Sequence, residues 1–466
     1  MDMPSDTMQF SSQSYDDGAL ATKRYRAIRS DTLDRLPQVS SIPKELRFAI
    51  KVVSRVLPFR INQHVADTLI DWTGLADDPI ARLVLPRSDM LDPDDFATIA
   101  ELLTTSAPND DVEKAVRTIR ARLNPHPSGQ IEHNIPKLDG VPLPGLQHKY
   151  RETVLYFPAR GQTCHAYCTF CFRWAQFVGD QSLKFASKEA GQLRAYLQAH
   201  PEVSDLLITG GDPMIMETQN LRALIEPLLS PEIDHVQTLR IGTKSLTFWP
   251  QRFVTDKDAD DLLRLIERAV NSGRHVAIMA HINHWREIDN QIAHTAIRRL
   301  RDAGASIRSQ APLLAGINDD PSTWARTWRE QVRLGIHPYY MFVERDTGPR
   351  HVFEVPLYRS WEIYRDAVQQ VSGLARTARG PVMSAMPGKV EVLGVVPKNG
   401  RLQFLLQFLQ SRDPSKVRRP FIAKGRRSAV WYDQLTPCFD IDAVSDVGFP
   451  NDHAANAGLS TASIPG

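Results

Sequence analysis

Cys164-His165-Ala166-Tyr167-Cys168-Thr169-Phe170-Cys171 places three of the chain's four cysteines inside eight residues. A Cx3CxxC spacing lets one loop wrap three thiolates round three irons of a cubane 4Fe-4S cluster. Such clusters are normally held by four Cys thiolates, so a compact triplet without a fourth partner nearby leaves one iron open to a small molecule. Two rival readings of the window are weaker. A structural zinc site needs four N or S ligands in a tetrahedron, and His165 on the same tight turn is the one further candidate. Disulfides between cysteines this close are strained, and the rest of the chain offers no disulfide framework.

Composition narrows the class of partner. Among 466 residues, Lys+Arg 56 nearly balance Asp+Glu 54, which leaves no basic footprint for nucleic acid. A small molecule or a protein side chain is the expected substrate. The opening residues MDMPSDTMQFSSQSYDDG carry acids and no apolar core of a signal sequence. No apolar run approaches the roughly 20 residues that span a bilayer, so no membrane partner is expected. Free thiols and an oxygen-sensitive cluster both point to the reducing cytoplasm.

The chain divides by pattern. Residues 1–45 form a polar arm expected to be mobile, and 46–148 a helical region in which LRFAIKVVSRVL spaces apolar residues at helical intervals. Pro/Gly punctuation in PHPSGQIEHNIPKLDGVPLPG marks a boundary. From Val154 the runs VLYF, DLLIT, TLRIG, HVAIMA, ASIRSQAPLL and HPYYMFV alternate with amphipathic segments such as DADDLLRLIERAV and TAIRRLRDAG. Six β-then-α units imply parallel strands with right-handed crossovers. The expected fold is therefore α/β, a partial (β/α)6 barrel over 149–345, with its chemistry at the C-terminal strand ends. A closing region follows over 346–438, then a flexible tail over 439–466.

The cysteine loop, with Phe170 before its last cysteine, resembles the radical SAM superfamily. The resemblance narrows to lysine 2,3-aminomutase and its PLP-dependent relatives over roughly residues 55 to 400. PGLQHKY precedes the first strand, and FRWAQFVG follows the cysteines. TGGDP, RIGTK with PQR, AHINH, SQAPLLAGIND and HPYYMF then occur in order, and PGK closes the series. The resemblance implies a 4Fe-4S cluster on Cys164, Cys168 and Cys171, S-adenosylmethionine on the open iron, and pyridoxal 5′-phosphate carried by Lys389 in the C-terminal extension. It implies that Lys149 and Tyr150 contact PLP, with Thr153 standing where an arginine is expected. Gly210 and Gly211 would admit the methionyl end of SAM, whose ammonium Asp212 would hold. His281, Ser309 and Gln310 would line the SAM and cofactor site, with His284 left undecided between a site role and a structural one. Arg173 resembles the residue that grips the substrate carboxylate, as bidentate arginine does well.

The reaction implied by that resemblance is a 2,3-amino shift driven by a 5′-deoxyadenosyl radical. A small-molecule amino acid is the expected partner, with a flavodoxin or ferredoxin as electron donor and a homo-oligomeric assembly. Lysine relatives hold the distal ammonium with two acids, because a buried cation requires negative partners. Here Val343-Glu344-Arg345-Asp346 puts Arg345 at the first position without a gap and Asp346 with one, and Pro381-Val382-Met383-Ser384 offers no acid. The substrate is then expected to differ from free lysine. The alternatives are modification of a protein lysine, or a rearrangement, dehydrogenation or epimerisation without PLP; a scaffold without catalysis has no use for three clustered thiols. Cys438 alone cannot make a C-terminal zinc site, and it reads as a small buried hydrophobe.

Overall fold

The computed structural model describes residues 24–125, 134–179, 185–188, 190–398 and 401–438. The arm before Arg24, much of the Pro/Gly boundary and the tail after Cys438 therefore lie outside the described residues. One twelve-stranded mixed sheet organises the rest. Its strands are β1 (Leu146–Tyr150), β2 (Thr153–Tyr156), β3 (Asp205–Ile208), β4 (Thr238–Thr243), β5 (His275–His281), β6 (Ser306–Leu313), β7 (His337–Val343), β8 (Arg379–Ser384), β9 (Gly388–Lys398), β10 (Arg401–Ser411), β11 (Pro420–Gly425) and β12 (Thr436–Cys438). Every strand lies beside its chain neighbours. β1 pairs with β2 antiparallel, β2 through β8 run parallel, and β8 through β12 form an antiparallel meander.

The parallel array is thus one strand longer than the six-unit expectation. β8 reads RGPVMS, whose Gly-Pro pair looks like a turn in sequence. It pairs all the same, because the helix Leu357–Gln369 returns the chain alongside β7 as the earlier crossovers do.

Crossover helices cover one face of the array. In Ala259–Asn271, Leu262, Leu265, Ile266 and Ala269 recur every three or four residues and are buried, which gives the helix one apolar stripe for the sheet. Asn290 caps the helix Gln291–Asp302 by accepting from the Ala293 amide at 3.0 Å. The strands alternate accordingly. On β6, Ala311 and Leu313 pack against Trp324 and Trp328 of the next helix, so Arg308 and Gln310 point to the opposite, inner face. By the same alternation Arg240 on β4 and His281 on β5 are inner-face residues.

The N-terminal helices Lys44–Val56, Pro79–Val84, Pro93–Thr104 and Asn109–Leu123 build a second core. That core takes in Ala166, Phe170, Trp174 and Ala175 from the cysteine window. Packing there fixes the loop before any metal binds. Among the described residues no helix is long and apolar enough to cross a membrane.

Ile278 lies fully buried on the central strand β5. Ile278→Ala is expected to cost about 2–5 kcal/mol of stability through lost burial and a cavity, read by urea unfolding; a change below about 1 kcal/mol would show that this strand is not a core strand.

Candidate functional site

Backbone contacts from the N-terminal region hold the cysteine loop. Tyr167 N donates to Arg60 O at 2.8 Å and Thr169 N to Leu83 O at 2.9 Å. In return Arg60 Nη1 donates to Thr163 Oγ1 at 2.8 Å and to Cys164 O at 3.0 Å. Asn62 Nδ2 ties His165 O at 3.3 Å to Phe248 O at 2.9 Å. The three thiols are free and half-buried, and desolvation pushes all three up, Cys171 to about 11. Each therefore favours the neutral thiol until a metal or cation stabilises its thiolate. His165 is occupied elsewhere: its Nδ1 meets Ser245 Oγ at 2.8 Å and its ring stacks on Trp249 at 6.1 Å. Among the described residues no three His, Cys, Asp or Glu converge on one ion.

The Gly-Gly-Asp turn after β3 differs from expectation. A Cβ on Gly211 would lie 2.5 Å from Thr163 N and O, and one on Gly210 would lie 2.2 Å from Gln162 Nε2. The glycines let the strand end approach the entry of the cysteine loop, rather than opening room for a ligand. Asp212 is corrected as well. Its buried carboxylate accepts from Met214 N at 2.9 Å, Thr243 Oγ1 at 2.7 Å, Lys244 N at 2.9 Å, Ser245 N at 3.0 Å and Ser245 Oγ at 2.9 Å. Two carboxylate oxygens have about four lone-pair sites, so none is left for the ammonium of SAM. Asp212 instead joins the turn to the end of β4.

Lys389, on β9, reaches the inner face and lies 4.7 Å over the Tyr340 ring. Burial first, then Arg240, lowers its ammonium to about 7. Lys149 donates to Ala385 O at 2.7 Å, in the turn that leads to Lys389. Burial, then Arg412 and Arg345, brings Lys149 down to about 8 and raises Tyr150 to about 12 against the pull of the same two arginines. Arg412 Nε donates to the next carbonyl, Met386 O, at 3.3 Å. Thr153 gives its hydroxyl to Asp205 Oδ2 at 2.9 Å, and Asp205 also pairs with Arg240. The position expected to carry an arginine is thus polar and neutral.

The remaining candidates separate. His281 ends β5 with its ring 5.7 Å from Phe170, edge to face, and burial holds it neutral. His284 caps the following turn, its Nδ1 accepting from Arg286 N at 3.2 Å, and so has a structural role. Ser309 faces the helix layer, donating to Gln331 Oε1 at 2.6 Å, and is corrected as a site residue; Gln310 has the inner face. Arg173 Nη2 donates to Gln162 Oε1 at 3.1 Å, and its guanidinium lies 4.4 Å over Phe157. Arg345 stacks on Phe172 at 5.3 Å and Trp431 at 5.9 Å. Asp346 lines a cleft with Arg122, Thr347 and His351 and acts on Arg345 by charge.

Sequence reasoning missed three groups here. Lys244 and Glu287 form an enclosed ion pair, with Lys244 also donating to Asn283 Oδ1 at 2.9 Å and His281 O at 3.2 Å. Glu344 is a buried carboxyl that burial raises well above the usual range. Tyr340 underlies Lys389. The RIGTK and HPYYMF motifs contain Lys244 and Tyr340, but nothing in their pattern separates these side chains from their neighbours.

No protein-family model matches the chain. An Aquifex aeolicus protein named "Putative L-lysine 2,3-aminomutase" is 28% identical over 398 residues, 85% of this chain and 93% of its own length. The L-lysine 2,3-aminomutase of Bacillus subtilis is 30% identical over 246 residues, 53% of this chain and 49% of the relative. That of Clostridium subterminale is 28% identical over 273 residues, 58% and 62%. The chain spans about half to two-thirds of the length of these last two. Among solved structures, Streptococcus suis SuiB bound to the precursor peptide SuiA gives a TM-score of 0.34 at 13% identity over 56% of this chain and 52% of SuiB. SuiB bound to S-adenosylmethionine gives 0.34 at 11% over 60% and 58%.

With the thiol loop at the strand ends of a helix-covered parallel array, the class is that of radical SAM enzymes. Within that class the chain is related to the lysine 2,3-aminomutase family. The partner expected from the sequence is a free amino acid, whereas SuiB is bound to a precursor peptide.

Asp212→Ala leaves Met214 N, Thr243 Oγ1 and Lys244 N without this acceptor, each worth about 1–3 kcal/mol when unsatisfied, while Ser245 N keeps Thr243 Oγ1 and Ser245 Oγ keeps His165 Nδ1. The variant is expected to lose more than about 3 kcal/mol of stability by the same scale, together with iron uptake on reconstitution. Wild-type unfolding and iron content would contradict the clasp.

Proposed function

We propose that the chain is a radical SAM enzyme that moves an amine between neighbouring carbons of a residue carried on a peptide or protein. In this reading Cys164, Cys168 and Cys171 hold a 4Fe-4S cluster, SAM completes the open iron, and PLP rides on Lys389. The parallel array is then a partial barrel and β9–β12 its PLP-bearing extension. When bound, the reduced cluster cleaves SAM to methionine and a 5′-deoxyadenosyl radical, and PLP supplies the conjugated system through which nitrogen moves.

The observation that carries the reading is Lys389: an amine lowered to about 7, on the inner face of the array whose strand ends meet the thiol loop. A lysine kept neutral is the form that attacks a carbonyl. Arg240, Lys149 and Arg379 put positive charge round it, which suits the phosphate of PLP. Tyr340 offers a ring face. Arg173 orients a carboxylate.

Support for a peptide-borne amine comes from the rim. Phe172 is 45% and Met386 69% exposed, although one adjoins Cys171 and the other lies in the turn leading to Lys389. Exposed apolar side chains beside a site suit contact with a chain. A PLP-free rearrangement is the second reading, favoured by the neutral Thr153.

Anaerobic reconstitution with iron, sulfide and PLP tests the assignment, with borohydride reduction and peptide mapping to locate PLP. PLP should be trapped on Lys389, and Lys389→Ala should lose it while still cleaving SAM under dithionite. Alanine at Cys164, Cys168 or Cys171 should abolish cleavage. SAM cleavage by a wild type that retains no PLP supports the second reading. Turnover of free amino acids in preference to amine-bearing peptides would overturn the substrate assignment. The low ammonium value also sets a pH profile. Below about 7 Lys389 is protonated, so PLP attachment followed by absorbance should rise through pH 7 and level off above it; a midpoint near an ordinary lysine's 10.4 would contradict its buried placement.

A further inference from the structure

A second cleft borders the cysteine loop, and Arg24, Tyr25 and His165 line it. None of its lining residues is among those that act on Lys389. The acids in it are already committed. Asp258 pairs with Arg252 at 3.0 Å, Asp256 accepts from Trp249 Nε1 at 3.1 Å, and Glu217 pairs with Lys257 at 3.5 Å. Arg24, Arg26 and Arg29 on the bordering segment are exposed, and among the described residues they make no ion pair. Unspent positive charge is thus concentrated beside the loop.

That segment is joined to the loop by short contacts. Its strand Ala27–Ile28 pairs antiparallel with Ile61–Asn62. Arg60 and Asn62 in turn hold Cys164 O at 3.0 Å and His165 O at 3.3 Å. Tyr25 Oη donates to the same His165 O at 2.9 Å, and its ring meets those of His165 at 5.3 Å and Trp249 at 5.2 Å. His165 follows Cys164 directly, so the Tyr25 ring, 38% exposed, is one hydrogen bond and one peptide link from a thiol of the loop. A cluster held there has to be reduced from outside the chain.

We propose that Arg24, Arg26 and Arg29 with Tyr25 form the docking surface for an acidic one-electron donor protein that reduces the cluster. The donor is oxidised by one electron and the cluster is reduced by that electron; no atom changes hands. The proposal rests on the proposed function for the cluster on the three thiols alone, and not for PLP or the substrate. Three arginines without acidic partners attract an acidic face and repel a basic one. A small polar patch suits the transient encounters of redox proteins, which bury less than about 1,200 Å².

Stopped-flow mixing of the reconstituted protein with flavodoxin hydroquinone at several salt concentrations tests the surface, with reduced methyl viologen as a small cationic reductant for comparison. The rate of cluster reduction by flavodoxin should fall as salt rises. Arg24→Gln, Arg26→Gln and Arg29→Gln combined should lower it about tenfold or more at low salt, with wild-type iron content and wild-type reduction by viologen, and the corresponding triple lysine variant should recover most of the rate. A rate indifferent to salt, or a triple glutamine variant reduced by flavodoxin as fast as the wild type, overturns the proposal. So does a variant that loses iron or slows equally with viologen, because the arginines would then support the loop and not a partner. Poly-glutamate that binds these arginines without slowing reduction by flavodoxin overturns it in favour of an acidic peptide. Failure of the wild type to take up iron counts against the cluster instead, and calorimetry of flavodoxin binding to the unloaded wild type and triple variant still decides the surface.

Discussion

The buried carboxylate of Asp212 is the constraint on which the site depends. One side chain gathers five donors from the turn after β3 and the end of β4. Its own amide donates to Gly161 O at 3.0 Å and Thr163 O at 2.8 Å, at the mouth of the cysteine loop. Strand ends and loop are thereby fixed to each other. The two glycines before Asp212 remove the Cβ atoms that would forbid that approach. The acceptor and four of the five donors are buried, so the clasp cannot be exchanged for water at low cost. It leaves the thiols held by protein contacts alone.

Charge is distributed unevenly round this frame. Near the thiols, Lys244 is balanced by Glu287 in an enclosed pair. Farther along, Lys389 feels Arg240, Lys149 and Arg379 against Asp205, and Lys149 in turn feels Arg412 and Arg345. Burial first and this excess second lower the Lys389 ammonium to about 7, and the excess makes the region receptive to anions. Those are the two properties a phosphate-bearing cofactor on a lysine would require.

Much of the fold was legible. The six apolar runs from VLYF to HPYYMFV are strands β2 to β7, because buried parallel strands are nearly continuous in apolar residues. The segments between them are the helices whose stripes are buried. β8 was not legible, since its Gly-Pro pair has the pattern of a turn. In the site, the thiol window stands out in the sequence because Cx3CxxC is a rare pattern, whereas Lys389 was singled out by the family resemblance alone, and its burial beside Tyr340 came only from the fold. The direction of individual side chains could not. Ser309 and Gln310 are adjacent, and the alternation that sends one to the helices and the other inward is fixed by which face the helices cover. Asp212 carried the right residue type for a ligand, and its neighbours' donors had already taken it. Arg345 and Asp346 could be told apart only once the end of β7 was placed in space.

In the proposed cluster, three thiolates leave one iron of a cubane open to SAM. Electron paramagnetic resonance of the anaerobically reconstituted, reduced protein reads that open iron directly. A 4Fe-4S signal whose shape changes when SAM is added is expected, because the ligand set at one iron changes. A signal indifferent to SAM, or the spectrum of a cluster with fewer irons, would contradict the proposal.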